Sequence, residues 1–238
     1  MTIKEKTSIS VHFDNNLLEK IDKDAADNVR TRKAQVEYIV KKYYSMKIRE
    51  EIRKIINLDY TQEGDTINSR NLNNLADKFP NAITIVFDDP QQYPVNIIFN
   101  CYAYAFGFQF SQLFKENYLK IKALTKKEGI PASFVSFLVK ERYLQEIKTP
   151  IKNCLLVYFD DKEEFNHAAI LQKEALDEDF RTVHSRWGTF KATLTHKLWY
   201  VPDYYGTKIK YYYPLRLKES ENYLCEFLKT QGLLIRHI

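Results

Sequence analysis

Glycine, proline and cysteine are all scarce in this sequence of 238 residues, which contains six, seven and three of them. So few flexible residues exclude a linker-like or low-complexity protein, and an apolar fraction of 45% suffices for a folded core. The three cysteines, Cys101, Cys154 and Cys225, are odd in number and widely spaced. The sequence therefore predicts no disulfide framework, no metal site and no cofactor.

Long apolar runs are also missing. No segment reaches the roughly 20 apolar residues that a bilayer-spanning helix needs, and the N-terminus MTIKEKTSIS lacks the apolar stretch of a secretory signal. We therefore expect a cytoplasmic protein with reduced thiols and no membrane partner. The net charge is +5, of which +3 comes from 11 basic and 8 acidic residues among the first fifty. This mild bias tolerates an anionic partner without demonstrating one.

The first forty-odd residues carry the clearest pattern. Residues 8–13 alternate apolar and polar side chains, which predicts a strand with Ile9, Val11 and Phe13 on its apolar face. Apolar spacing then predicts one helix over 16–26 and a second that begins after Thr31 as N-cap. Between them we expect Asn28 to take the left-handed conformation that ends a helix.

A strand and two helices of this size leave too little core for a stable monomer. Antiparallel pairing of the strand with that of a second copy would supply both a partner strand and a larger core. Such a two-stranded ribbon fits the major groove of DNA. Residues 7–45 resemble ribbon-helix-helix regulators of the CopG, Arc and MetJ type, which implies a homodimer that binds DNA.

By that resemblance the groove-facing residues are Ser8, Ser10 and His12. The start of the second helix, at Thr31, Arg32 and Lys33, would bind a phosphate, because helix N-termini present free N–H groups and two cations reinforce them. Serine side chains are short and form hydrogen bonds to bases with little selectivity. The alternative is a module that only dimerises.

The remaining sequence predicts a separate α+β domain. We place the ribbon-helix-helix domain at 1–56, a polar connector at 57–80, and the larger domain at 81–238. Within the larger domain, the segments at 83–87, 154–159, 167–173 and 180–187 have strand-like patterns, and 219–230 is typical of a closing helix.

One cysteine of the larger domain has a setting that favours chemistry. Asn100 and Cys101 precede an apolar helical run, and a helix N-terminus lowers the pKa of a thiol. A cysteine nucleophile needs a histidine as base. His167 and His184 lie on consecutive predicted strands and would share one face near one end of an antiparallel hairpin.

The segments NCYAYAFG, HAAIL and VHSRWG resemble the NlpC-like branch of papain-like cysteine peptidases and amidases. The resemblance covers about 95–215 and implies a papain-like α+β fold with an antiparallel sheet. It implies Cys101 as nucleophile, His167 as base and His184 as the third catalytic residue. His196 and Asn166 compete for the third position.

Two functions follow from these patterns. One is a DNA-binding dimer of a prokaryote or mobile element whose larger domain is a hydrolase that cleaves or transfers an acyl or amide group of a protein or peptide substrate. The other is a non-enzymatic transcriptional regulator with an inactive papain-like domain that binds a ligand or protein. The Cys101–His167 pair separates the two.

Overall fold

The computed structural model describes residues 10–63, 69–88, 94, 96–188 and 191–233. The chain divides into two compact units, residues 1–47 and 48–238. This boundary precedes the one expected at 56. The segment expected to be a connector, 57–80, contains the end of one helix and all of another.

The N-terminal unit contains two helices, α1 (Asn15–Asp27) and the first half of α2 (Arg32–Glu63). Asp14 caps α1 by accepting a hydrogen bond from Leu17 N at 2.8 Å, and Thr31 caps α2 by accepting from Ala34 N at 3.2 Å. Both predicted helices are therefore confirmed. Residues 10–14 form no regular element within the single chain, and the rest of the predicted strand, with Ser8 and Ile9, lies outside the described residues.

The turn between the two helices departs from the expectation. Asn28 is the C-cap of α1 with φ −102°, and it is Val29 that has the positive φ, 54°. The prediction of a left-handed Asn28 is therefore wrong. Val29 is 95% exposed, so its side chain gains little packing to offset the unfavourable backbone of a β-branched residue.

We expect Val29→Gly to stabilise the N-terminal unit by about 1 kcal/mol, because glycine adopts this conformation without a Cβ penalty. Urea unfolding of the full chain, followed by a probe in this unit, would measure the change. Glu19→Gly is the control, since glycine inside a helix should lower stability by about 1 kcal/mol. A loss of stability in Val29→Gly would contradict the interpretation of the turn.

The second unit is built around a sheet of seven strands in the described part of the chain, in the order β1-β6-β5-β4-β3-β7-β2, and every pairing is antiparallel. The strands are β1 (Ile83–Phe87), β2 (Glu146–Ile147), β3 (Leu155–Phe159), β4 (Phe165–Lys173), β5 (Thr182–Ser185), β6 (Ala192–Lys197) and β7 (Lys208–Tyr212). An α+β domain with an antiparallel sheet is thus confirmed.

The helices of this unit, besides the second half of α2, are α3 (Ser69–Lys78), α4 (Cys101–Ala105), α5 (Gln112–Thr125), α6 (Ala132–Lys140) and α7 (Leu217–Thr230). Short 3₁₀ turns lie at Phe108–Phe110, Glu178–Phe180 and Asp203–Tyr205. Throughout the described ranges, no helix combines the length and the apolar character that crossing a membrane requires.

Each face of the sheet has its own core, because side chains alternate along a strand. Face 1 packs against α4 to α7 and includes Leu155, Val157 and Ala168. Face 2 packs against the second half of α2, against α3 and against the segment around Tyr200–Tyr205, and it includes Leu156, Ala169 and Val183. Neighbouring residues of β4 therefore belong to opposite faces.

Candidate functional site

Cys101 is the first residue of α4, as predicted, and the residue before it fixes the helix start. The Asn100 side chain accepts hydrogen bonds from Ala103 N at 3.0 Å and Ile130 N at 3.2 Å. It also donates to the carbonyls of Glu128 at 3.1 Å and Ile130 at 2.7 Å. One amide group thereby caps α4 and holds the 128–130 segment against it.

The Cys101 thiol lies on face 1, beside β4. Only 7% of the residue is exposed. Burial raises the pKa of Cys101 to about 12, and backbone N–H groups, including that of Ala168 on β4, lower it only in part. At neutral pH the sulfur is therefore a neutral thiol in an apolar setting, whereas a nucleophile needs the thiolate.

His167 points to the other face of the same strand. It is fully buried, and within the described part of the chain neither ring nitrogen has a hydrogen-bond partner. Its ring stacks on that of Tyr205, with centroids 3.9 Å apart and planes 7° apart. Burial holds the pKa of His167 well below its ordinary value. Ala168, the next residue, contacts Cys101 on face 1. Cys101 and His167 therefore lie toward opposite faces of β4, and no hydrogen bond joins them.

His184 shares face 1 with Cys101. On β5 it pairs with Ile170 of β4, and Ile170 is two residues from Ala168, so all three point to the same side. His184 is half-buried, and this burial lowers its pKa. Side chains alternate along a strand, and Ile170, the partner of His184, is three positions after His167. The two histidines therefore point to opposite faces, and the expectation that they share one face is wrong.

The two competitors for the third position are both engaged elsewhere. His196 is buried on face 2, where Nδ1 donates to the Lys197 carbonyl at 2.8 Å and Nε2 accepts from the Ser185 hydroxyl at 2.7 Å. The indole N–H of Trp187 donates to the same hydroxyl at 3.1 Å. Asn166 hydrogen-bonds the Asp160 carboxylate and lowers its pKa, after the larger effect of the Glu164 N–H group.

Sequence reasoning missed this buried polar chain and a second buried group nearby. Arg186 is 1% exposed and forms a bidentate pair with Asp88, at 2.8 and 2.6 Å. The pair joins the end of β5 to the end of β1 across 98 residues of sequence. No local pattern signals such a distant partner, although an Arg-Trp dipeptide directly after a strand is a modest hint of burial.

The N-terminal residues expected to contact DNA differ in their availability. Ser10, His12 and Lys33 are exposed. The Arg32 guanidinium, in contrast, forms a bidentate ion pair with Asp22 of α1, which raises the pKa of Arg32. Arg32 therefore links the two helices, and Lys33 has no carboxylate partner among the described residues.

A surface groove lies apart from all of these residues. It has a volume of about 480 Å³ and runs between α3 and β1, where Asn73, Asp77, Ile85 and Phe87 line it. Neither Cys101 nor any of the histidines lines this groove.

Comparison with known proteins adds no constraint: no protein-family model, no curated protein and no solved structure matches this chain.

We expect the stability of the larger unit to fall below pH 6.5 because His196 is buried as a neutral ring. Burial lowers its pKa from 6.5 to about 4, so between these values the unfolded chain binds a proton that the folded chain does not. The loss by pH 5 is about 2 kcal/mol for this residue. Urea unfolding at pH 7 and pH 5 would measure it, and His196→Gln should flatten the pH dependence. If the free energy of unfolding of His196→Gln changes with pH as much as that of the unchanged protein, His196 is not the buried neutral group responsible.

Proposed function

We propose that this chain is a DNA-binding dimer assembled through its N-terminal unit, and that each copy carries a larger α+β domain of non-catalytic, ligand- or protein-binding function. One observation carries the proposal: the N-terminal unit exposes most of its large apolar side chains. Those above 40% exposure are Val11, Leu17, Val29, Ile39, Val40, Tyr43, Tyr44 and Met46, whereas its buried apolar residues are Ile21 and Ala25.

The exposed residues of α2 form a continuous surface. At 100° per residue, Ile39, Val40 and Tyr43 fall within an arc of about 100°, and Met46 and Tyr44 extend it on either side. A soluble monomer rarely exposes so large an apolar patch. Complete burial of an exposed aliphatic side chain contributes about 1.5–3 kcal/mol, and these side chains, which are about half exposed, would gain roughly half of that.

A second copy is the occupant that fits this surface. A two-fold interface uses the same patch on both subunits, so an apolar patch becomes its own partner. The segment at 8–13 requires the same arrangement, because a strand with one apolar face is stable only when paired and covered. Antiparallel pairing of two such segments gives the ribbon of the ribbon-helix-helix family.

The DNA-binding part of the proposal rests on the start of α2. Its first N–H groups point outward from a helix capped by Thr31, and such groups bind phosphate oxygens. Lys33 supplies the free positive charge there. Arg32, held by Asp22, fixes the angle between the helices instead. Ser10 and His12 are exposed and so are available to contact bases.

Ile39→Asp tests the dimer directly. Placing a carboxylate in the proposed interface should convert the dimer to a monomer, because each buried, unpaired carboxylate costs several kcal/mol, and about 3 kcal/mol is already more than a hundredfold in the dissociation constant. Sedimentation velocity would measure the mass of the protein. Binding to a DNA duplex at several salt concentrations would measure its affinity for DNA. Leu119→Asp, at an exposed leucine of α5, is the matched control.

If Ile39→Asp stays dimeric and binds DNA as the unchanged protein does, the apolar surface of α2 is not the interface and the proposal fails.

The larger domain has a second candidate function, a cysteine peptidase or amidase. Two observations favour it: Cys101 opens a helix that packs on an antiparallel sheet, and His184 lies on the same face. In that case His184, rather than His167, would be the base. The non-catalytic function has the stronger support, since the thiol is buried and protonated and His167 faces away.

Alkylation with iodoacetamide separates the two functions. At pH 7 only about 1 in 10⁵ molecules has a thiolate at Cys101, given its pKa of about 12. Because the thiolate is the form that reacts, we expect Cys101 to react more slowly than the half-buried Cys225. Mass spectrometry of peptides would quantify both sites. Preferential alkylation of Cys101, lost in His184→Ala, would overturn the non-catalytic assignment and establish a reactive pair.

A further inference from the structure

The described helices of face 1 pack mainly against β3, β4 and β7. The face 1 core takes its sheet residues from β3, β4 and β7, with none from β1, β5 or β6. The side chains that β1, β5 and β6 direct to this side are exposed or half-buried. We call this area the open face. Its polar residues are Thr84, Thr182, His184, Thr193, Thr195 and Lys197.

Cross-strand pairing arranges these residues in rows. Thr84 of β1 pairs with Thr195 of β6, which in turn pairs with His184 of β5. In a second row, Thr182 pairs with Lys197 on one side and, across a register shift between Leu171 and Lys173, with Lys173 of β4 on the other. Regularly paired residues of an antiparallel sheet point to the same side, with Cβ atoms about 5 Å apart.

The second row holds two positive charges with no counter-charge. Within the described part of the chain, neither Lys173 nor Lys197 forms an ion pair, and Lys197 Nζ donates only to the Phe180 carbonyl, at 3.0 Å. Lys197 is half-buried. Burial lowers its pKa and the charge of Lys173 lowers it further. Two neighbouring ammonium groups without a carboxylate partner favour an anion beside them.

The nearby carboxylates serve other partners. Glu174 accepts a hydrogen bond from Lys152 N, and Glu178 forms an ion pair with Arg181 at 3.1 Å. Asp179 lies 4.0 Å from the Arg49 guanidinium. None of the residues that β1, β5 and β6 direct to the open face is acidic. The charge of this surface is therefore complementary to an anion and unfavourable for a cation.

We propose that the open face binds the phosphodiester backbone of a nucleic-acid strand, with Lys173 and Lys197 on a phosphate and the hydroxyl of Thr182 between them. Lysine and threonine are common phosphate contacts in nucleic-acid complexes. The row of Thr84 and Thr195 offers further hydroxyl donors to an extended ligand. This contact is separate from the one proposed at Lys33, and it does not require the N-terminal unit.

Footprinting of lysines tests both contacts in one experiment. The full chain is acetylated at low salt with and without a random-sequence DNA duplex, and separately with its single strand, and each lysine is quantified by mass spectrometry. We expect at least threefold protection of Lys173 and Lys197 by one of the two DNA forms. Lys120, exposed on α5, is the control and should react equally throughout.

The outcomes distinguish the two proposals. Protection of Lys173 and Lys197 supports the open-face site whether or not Lys33 is protected. Protection of Lys33 alone overturns the open-face site and leaves the N-terminal proposal standing. Protection of none of the three overturns both.

A pair of variants of equal charge completes the test. Lys173→Met with Lys197→Met should reduce the slope of log affinity against log salt by about 2 for a duplex, or somewhat less for a single strand. Lys120→Met with Lys162→Met should leave it unchanged. Equal slopes in the two double variants would overturn the proposal.

Discussion

Burial of apolar side chains is the interaction on which the two units of this chain differ most. In the larger unit, one apolar core lies on each face of the sheet. In the N-terminal unit, two helices enclose little more than Ile21 and Ala25, and the apolar surface of α2 faces solvent. In the proposed dimer this unit gains its stability from association, so its fold and its proposed contact with DNA depend on the same surface.

The polar contacts of the N-terminal unit connect its two helices. The Arg32–Asp22 pair and the buried Gln35 side chain, which hydrogen-bonds Asp24 and accepts from Arg30 at 2.9 Å, connect the helices. Exposed ion pairs add little to stability. We therefore assign to these bonds the angle between the helices, and to the apolar surface the free energy of the proposed assembly.

Sequence periodicity predicted much of this fold because it reports local geometry. The strand at 83–87, the cap at Thr31 and the helix that begins at Cys101 are all where the patterns place them. The element that carries each catalytic candidate was predictable too: a helix start for Cys101, and strands for His167 and His184. Which face each candidate occupies was not, because it depends on strand pairing: one residue of register decides whether His184 lies with Cys101 or with His167.

Contacts between distant residues were beyond any local pattern. The Arg186–Asp88 pair, the Trp187–Ser185–His196 chain and the row of Lys173, Thr182 and Lys197 each join different strands. In the turn at 28–29, tertiary geometry overrides propensity, since Asn28 is the better left-handed residue but Val29 takes that conformation. The DNA contact proposed for the N-terminal unit likewise depends on a second copy, which the sequence of one chain does not display.

Thermal unfolding at several protein concentrations tests the central claim most directly. If the N-terminal unit is stable only as a dimer, the midpoint of its unfolding must rise with concentration, because dissociation accompanies unfolding. A helix signal from α1 or α2 whose midpoint rises by several degrees over a hundredfold range of concentration is the result that we predict. A midpoint independent of concentration, with a monomeric mass throughout, would contradict the account.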